Sequence, residues 1–307
     1  MSVEFCGIEL AHPVINGSGT FDVLAARRAF GRDLVVRFPF AAYVSKTITL
    51  EPRAGNPPPR LWEAAGGLIN SIGLPNKGLE GYLREDLPQL AELLSDVGDA
   101  QASGRRVPLI TNVMGASAQE IGALLEACDQ RDEIAAIELN VSCPNVETGL
   151  DIGADPRELE RVLHAVRGRT RKPLIVKLTP NTADVGACAR AAQDGGADAV
   201  SLINTLRATA LTPGADSGDG ARRPWLGGGS GGLSGPAIRA VALAQVATVA
   251  DRVSVPVVGM GGVQSARHAR ELIDVGATLV AVGTESFRDP DAGARIAQQM
   301  QEIAVGG

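Results

Sequence analysis

The stretch Ala135-Ala136-Ile137-Glu138-Leu139-Asn140-Val141-Ser142-Cys143-Pro144-Asn145 turns from an apolar run into a cluster of polar groups. Its first half reads as a buried strand. Pro144, which has no N–H to give a ladder, stops that strand. Two amides and a thiol therefore arrive together at the strand's end. In a parallel α/β barrel that end belongs to the catalytic face, because the loops following the strands build the site there.

The quoted strand covers residues 134–142. Seven more apolar runs resemble it, at 14–17, 42–47, 108–113, 174–178, 199–204, 257–259 and 279–282. They are continuous rather than alternating, as strands buried on both faces of a parallel sheet are. The segments between them read as helices. Asp155-Pro156-Arg157-Glu158 offers an N-cap, a proline at the first helical position and an acidic third residue. Leu159, Val162, Leu163 and Val166 follow at i, i+3, i+4 and i+7, and Gly168 closes the helix. Val185, Cys188, Ala189 and Ala192 repeat that spacing after Thr182, with Gly195-Gly196 behind them.

Eight such alternations predict an α/β fold, a (β/α)8 TIM barrel. A doubly wound open sheet is the alternative, since a pattern of strands does not show closure. The 307 residues would allow two domains, but barrels of this length commonly form one, here expected over residues 1–307. Hydrophobic residues make up 45% of the chain and aromatics only 3%, so aliphatic side chains must fill the core. Three connections are too long for ordinary βα loops: 50–69, 143–154 and 206–234. All follow strands, so all fall on the catalytic face, as a lid, a partner surface or plain decoration.

A net charge of −6 without a basic cluster argues against a nucleic-acid surface. No apolar run is long enough to span a membrane. Cys6, Cys128, Cys143 and Cys188 show no C-x-x-C spacing, which fits reduced thiols rather than disulfides or a zinc site. With no basic start or long apolar stretch at the N-terminus, a soluble cytoplasmic protein is expected.

The strand ends are unusually polar: Ser18, Lys46, Asn112, Asn140 with Cys143, Lys177, Asn204-Thr205, Gly261-Gly262 and Gly283-Thr284. Any one of these could be a satisfied structural group. As a set at matching positions they point to a ligand, because burying them unpartnered costs roughly 1–3 kcal/mol each. The two glycine-bearing ends expose backbone N–H groups where barrels often bind phosphate. Lys46 and Lys177 could stabilise a reduced, anionic ring. Asn112, Asn140 and Asn204 both donate and accept, which suits the mixed edges of a flavin or a pyrimidine. His12, His164 and His268 are scattered, so neither a metal centre nor a Ser-His-Asp triad is expected. Cys6, Cys128 and Cys188 read as small buried hydrophobes. Cys143, in its polar loop, can serve as a nucleophile or as a base.

These residues resemble a known family, the catalytic subunit of class 1B dihydroorotate dehydrogenases, nearly end to end. The likeness is carried by Ser18-Gly19-Thr20-Phe21, Lys46-Thr47-Ile48-Thr49-Leu50-Glu51-Pro52-Arg53, Asn70-Ser71-Ile72-Gly73-Leu74, Ile203-Asn204-Thr205 and residues 138–146, 231–237, 259–262 and 281–284. The resemblance implies a barrel with a short N-terminal β-hairpin that binds FMN and oxidises dihydroorotate to orotate in pyrimidine synthesis. Cys143 would be the base that removes the C5 proton, with hydride passing from C6 to flavin N5. Lys46, Asn70, Ser71, Ile72, Gly73, Leu74, Asn140, Asn145, Asn204 and Thr205 would hold the substrate. Ser18, Lys46, Thr47, Asn112, Asn140, Lys177, Ile203, Gly232, Gly261, Gly262, Gly283 and Thr284 would hold FMN. An ordinary thiol, titrating near about 8.5, predicts a rate that rises with pH.

The resemblance further implies a homodimer joined by a partner subunit with FAD and a [2Fe–2S] cluster, a heterotetramer passing electrons to NAD. This chain shows no cysteine set for such a cluster. Asn16-Gly17 departs from the Pro-Ala usual in the family, and residues 147–154 and 207–223 also look individual. Two other functions compete. A flavin barrel of the dihydropyrimidine dehydrogenase type has a similar Ser-Cys-Pro element, but followed by His where this chain has Asn145. A non-catalytic flavin-binding subunit is opposed by Lys46, Cys143 and Asn204.

Overall fold

The computed structural model describes residues 2–100, 104, 106–142, 152–212 and 222–306. The chain opens with an antiparallel hairpin, β1 (Val3–Phe5) and β2 (Ile8–Leu10). Two strands of the main sheet follow, β3 (Val14–Asn16) and β4 (Tyr43–Val44). A second hairpin, β5 (Leu61–Ala64) and β6 (Gly67–Asn70), interrupts them. The main sheet then continues through β7 (Leu109–Val113), β8 (Ala136–Asn140), β9 (Leu174–Lys177) and β10 (Ala199–Leu202). After β11 (Leu206–Ala208) and β12 (Gly231–Ser234) it ends with β13 (Val257–Met260) and β14 (Leu279–Val282).

The main sheet has eight parallel strands in the order β3-β14-β13-β10-β9-β8-β7-β4. All eight correspond to the expected apolar runs. β3 and β4 stand at the two ends of this order, and the seam between them closes the barrel. Ala41 N–H donates to Val14 O at 3.0 Å. Higher up, the carboxamide of Asn16 donates from Nδ2 to Val44 O and accepts from Val44 N–H, both at 2.8 Å. The side chain thus takes the place of a peptide group, completing a ladder that the two-residue β4 is too short to complete.

Alternation along the strands separates two cores. Inward-facing Ile15, Val44, Ile110, Ala136, Ile175, Ala199, Val258 and Leu279 fill the barrel, joined by Phe5 and Leu10 of the N-terminal hairpin. The hairpin therefore plugs one end of the barrel with a ring and a branched chain. Outward-facing Ile137, Leu139, Val176, Val200 and Val280 pack with the helices in the larger core. Phe5 is 1% exposed. Phe5→Ala should cost roughly 3–5 kcal/mol of stability, measurable as a lower denaturant midpoint with the slope unchanged.

The helix Pro156–Val166 begins as expected, with Asp155 accepting from the N–H groups of Arg157 and Glu158. The helix Val185–Asp194 starts behind Asp184, whose carboxylate accepts from Ala187 N–H at 2.9 Å. Thr182 instead donates to Ala154 O.

Two of the three long connections carry strands. β5 and β6 come from the first, β11 and β12 from the third, and they pair antiparallel in the order β11-β12-β6-β5. Their sequences are short, glycine-bearing and half-exposed, so they lack the continuous apolar signal of the barrel strands. This second sheet leaves the C-terminal ends of β4 and β10 and is tied to that of β14, where Thr284 Oγ1 donates to Ser234 Oγ at 2.8 Å.

Candidate active site

The interior of the barrel changes character along its axis. Above the aliphatic layer, the inward positions of β7 to β10 become Asn112, Glu138, Asn140, Lys177 and Ser201, each no more than 8% exposed. Glu138 is the anchor of this polar layer. Its Oε2 accepts from Asn112 Nδ2 and its Oε1 from Ser201 Oγ at 2.7 Å. Asn112 Oδ1 is buried and has no partner among the described residues. Lys177 lies in register with Asn140 on one side and Ser201 on the other, and its ammonium has no hydrogen bond or ion pair among the described residues. An orphaned carbonyl costs roughly 1–3 kcal/mol, so such groups in one layer mark a place prepared for a polar ligand.

Around this layer the other strand ends converge. At the end of β8, Asn140 Oδ1 accepts from Ser142 N–H at 3.2 Å. Asn204, beyond β10, donates through Nδ2 to Ser142 Oγ at 3.1 Å and accepts from Thr205 N–H at 2.8 Å. At the seam, Ser18 Oγ donates to Ser45 O at 2.8 Å and lies 3.4 Å from Thr47 Oγ1. Lys46 is exposed. Ile203 is buried, its N–H donating to Met260 O.

At the far side, Gly261 and Gly262 adopt φ of 133° and 69°, conformations open to glycine. The backbone N–H groups of Gly261, Gly262, Gly283 and Thr284 donate no hydrogen bond among the described residues. Together they form a concave, donor-rich rim suited to an anion.

The second sheet supplies the remaining wall. Asn70 Nδ2 donates to Gly232 O at 3.2 Å, across the β6–β12 ladder. Ser71 Oγ donates to Ser230 O at 2.7 Å. Residues 71–74 then run back toward β4, fixed by Asn56 N–H to Ile72 O and by Asn76 Nδ2 to Leu74 O. Asn76 also accepts from Gly78 N–H and donates to Thr49 Oγ1. Gly232 has no room for a side chain: a Cβ there would stand 1.9 Å from Thr205 Oγ1. Gly232→Ala should displace Thr205 and cost roughly 1–3 kcal/mol, read as a lower thermal midpoint.

The expected site residues thus gather at one mouth, with Cys143 and Asn145 outside the described residues. Sequence reasoning gave no site role to Glu138, Ser201 and Asn76, and marked Asn16 only as a departure from the family. Glu138 did carry a signal, a charged residue inside an apolar strand. Cys128 and Cys188 are core groups as expected, whereas Cys6 is only half-buried and its thiol donates to Asp198 O; burial pushes Cys6 up to about 11 and Cys128 up to about 12, and raises Cys188 as well. Thiols so raised stay protonated and unreactive at neutral pH.

The family profile described as dihydroorotate dehydrogenase matches residues 1–304. The catalytic subunit of dihydroorotate dehydrogenase B (NAD(+)) from Citrifermentans bemidjiense is 42% identical over 306 residues, covering 99% of this chain and 93% of that protein. The namesake subunit of Maridesulfovibrio salexigens is 39% identical over 306 residues, with the same coverage. A crystal structure of DHODH from Eimeria tenella, in complex with ferulenol, shares the fold at a TM-score of 0.75 and 21% identity, covering 98% of this chain and 84% of that one. With this likeness running almost from end to end of a barrel, the chain belongs to the dihydroorotate dehydrogenase family, flavin enzymes that oxidise dihydroorotate to orotate in pyrimidine synthesis.

Proposed function

We propose that this chain is the FMN-bearing catalytic subunit of an NAD-linked, class B dihydroorotate dehydrogenase, and that residues 1–307 serve as one flavin-binding domain. The observation that carries this reading is the polar layer in the barrel mouth, where Asn112 Oδ1 and the Lys177 ammonium have no partner among the described residues. Both fit a ring with alternating donors and acceptors. The N–H groups of Gly261, Gly262, Gly283 and Thr284, without partners among the described residues, suit the FMN phosphate, and Ser18, Lys46, Thr47, Asn140, Ile203 and Gly232 would hold the rest of the cofactor.

Bound FMN supplies the two-electron acceptor for hydride from C6 of dihydroorotate. The chain supplies the rest. Cys143, one residue past Ser142, takes the C5 proton as general base. Asn70 to Leu74, Asn140, Asn145, Asn204 and Thr205 hold the pyrimidine, and Lys46, exposed on the open side, offers an ammonium to its carboxylate. Lys177 would set its ammonium against the flavin ring and favour its anionic reduced form. Water is excluded from the floor by the aliphatic layer beneath.

The name "catalytic subunit" borne by the relatives supports a second subunit for this chain too. That partner would carry FAD and a [2Fe–2S] cluster and join a homodimer of this chain in a heterotetramer. Among the described residues no helix is long and apolar enough to cross a membrane, and no group of three or more His, Cys, Asp or Glu could hold a metal.

The deciding experiment is anaerobic reduction of the purified yellow protein. Dihydroorotate should bleach the flavin, and dihydrouracil, which lacks the carboxylate, should not. Bound flavin that dihydroorotate leaves oxidised would overturn the substrate assignment. Co-purification of an iron–sulfur flavoprotein tests the partner separately.

A further inference from the structure

The layer beneath the proposed flavin carries one more inference, which rests on the FMN reading above. A primary amide has two faces of opposite polarity, an acceptor oxygen and a donor NH2, and rotation by half a turn exchanges them. At Asn112 the exchange matters, because the residue is fully buried and its Oδ1 has no partner among the described residues. What fixes the choice is the neighbour. Both oxygens of Glu138 act as acceptors: Oε2 receives Asn112 Nδ2, and Oε1 receives Ser201 Oγ at 2.7 Å. A turned amide would set Asn112 Oδ1 against the Glu138 carboxylate oxygen, acceptor against acceptor in a dry interior, where electrostatic terms are large.

We propose that Glu138 is a positioning residue that sets the polarity of Asn112, so that the amide presents its carbonyl oxygen to a ring N–H and the site selects a ring with a donor on that edge. Lys177, two strands away, offers only donors. The layer thereby presents an acceptor at one position and a cationic donor at another. That pattern fits a pyrimidine-type edge in which an N–H neighbours a carbonyl, the edge an oxidised flavin presents at N3. Carbocyclic or N3-blocked rings of the same size lack the match. Ser201 completes the device, since its hydroxyl occupies the second carboxylate oxygen and leaves Glu138 less freedom to swing away.

The test is a proton–nitrogen spectrum of the holoprotein reconstituted with ¹⁵N-labelled FMN. In the wild type the N3 proton should resonate downfield of its position in free FMN, as a proton donated to a carbonyl does. One proton of the Asn112 amide should lie downfield of the other and exchange slowly, held by Glu138. In Glu138→Leu, which keeps bulk but removes both acceptors, the N3 proton should move back toward the free position, and the preference for FMN over 3-methyl-FMN should fall about tenfold. The steric cost of the methyl group is common to both proteins, so the ratio isolates the coupling. Asn112→Ala should lose the N3 shift in the same way. A wild-type N3 proton at the free position, an Asn112 amide with two equivalent, rapidly exchanging protons, or a Glu138→Leu protein that binds FMN with the shift unchanged would each overturn the proposal. If Glu138→Leu does not fold, the two wild-type signals still decide. Failure to bind FMN at all would overturn the flavin reading instead, with a plainly different outcome.

Discussion

Cys143→Ser is expected to slow reduction of the bound flavin by dihydroorotate by roughly 10²–10⁴-fold, the usual contribution of a positioned general base. FMN should remain bound, because no residue of the polar layer or of the glycine rim is altered. The argument runs from chemistry and chain position. A serine hydroxyl is nearly isosteric with a thiol but loses its proton far less readily, so it cannot take up the C5 proton at neutral pH. Cys143 follows Ser142 directly, and Ser142 is anchored from both sides, its N–H to Asn140 Oδ1 and its Oγ to Asn204 Nδ2. Ser142, the residue before the thiol, is therefore a fixed point at the edge of the site. In the wild type, the anaerobic reduction rate should climb with pH as the thiol ionises, and the climb should disappear in the variant. Stopped-flow absorbance of the flavin measures both. Wild-type rates in Cys143→Ser would end the base assignment.

Asn16→Ala should lower the stability of the protein by roughly 2–5 kcal/mol, the cost of leaving Val44 N–H and Val44 C=O unpaired inside a dry seam together with a small void. Asn16 is 0% exposed, so water cannot replace the lost amide without opening the barrel. Asn16→Asp is the sharper variant. It has the same shape and can still accept from Val44 N–H, but it loses both donations, to Val44 O and to Gly17 O. A carboxylate oxygen facing two carbonyl oxygens should make it no better than alanine. Denaturant unfolding gives the ranking. An aspartate variant as stable as the wild type would show that the seam does not depend on the donor half of the amide. Ser18, two residues beyond, sits against Ser45 across the same seam, so apoprotein of either variant should also bind FMN more weakly.

Much of this architecture is legible from the chain alone, for a physical reason. Strands buried on both faces must be apolar throughout, and runs such as Leu174–Lys177 and Leu279–Val282 leave no other assignment. Polar residues at their ends are equally conspicuous against that background. The second sheet is not legible. β11 and β12 contain Leu206, Leu233 and little else that is apolar, and β6 meets β12 only after the chain has travelled through the greater part of the barrel. Gly231 and Gly232, which fall in one of the long connections, are strand residues with no room for a side chain, the first against Asn70 O and the second against the Thr205 side chain. Asn16 was visible as a departure but not as a seam, because nothing local says that β4 will be two residues long.

β3 has its backbone partner in β14, with Val14, Ile15 and Asn16 in register with Val280, Ala281 and Val282. Residues made near the start of synthesis must therefore wait for some of the last. A nascent chain that has not yet released Leu279 carries β3 as an unpaired apolar edge, open to pairing with the wrong strand or with another chain. Among the described residues, the Asn16 amide and one backbone bond at the seam shield it from one side meanwhile. Ribosome-bound chains stopped before residue 279 are thus the stage at which this barrel most needs a chaperone.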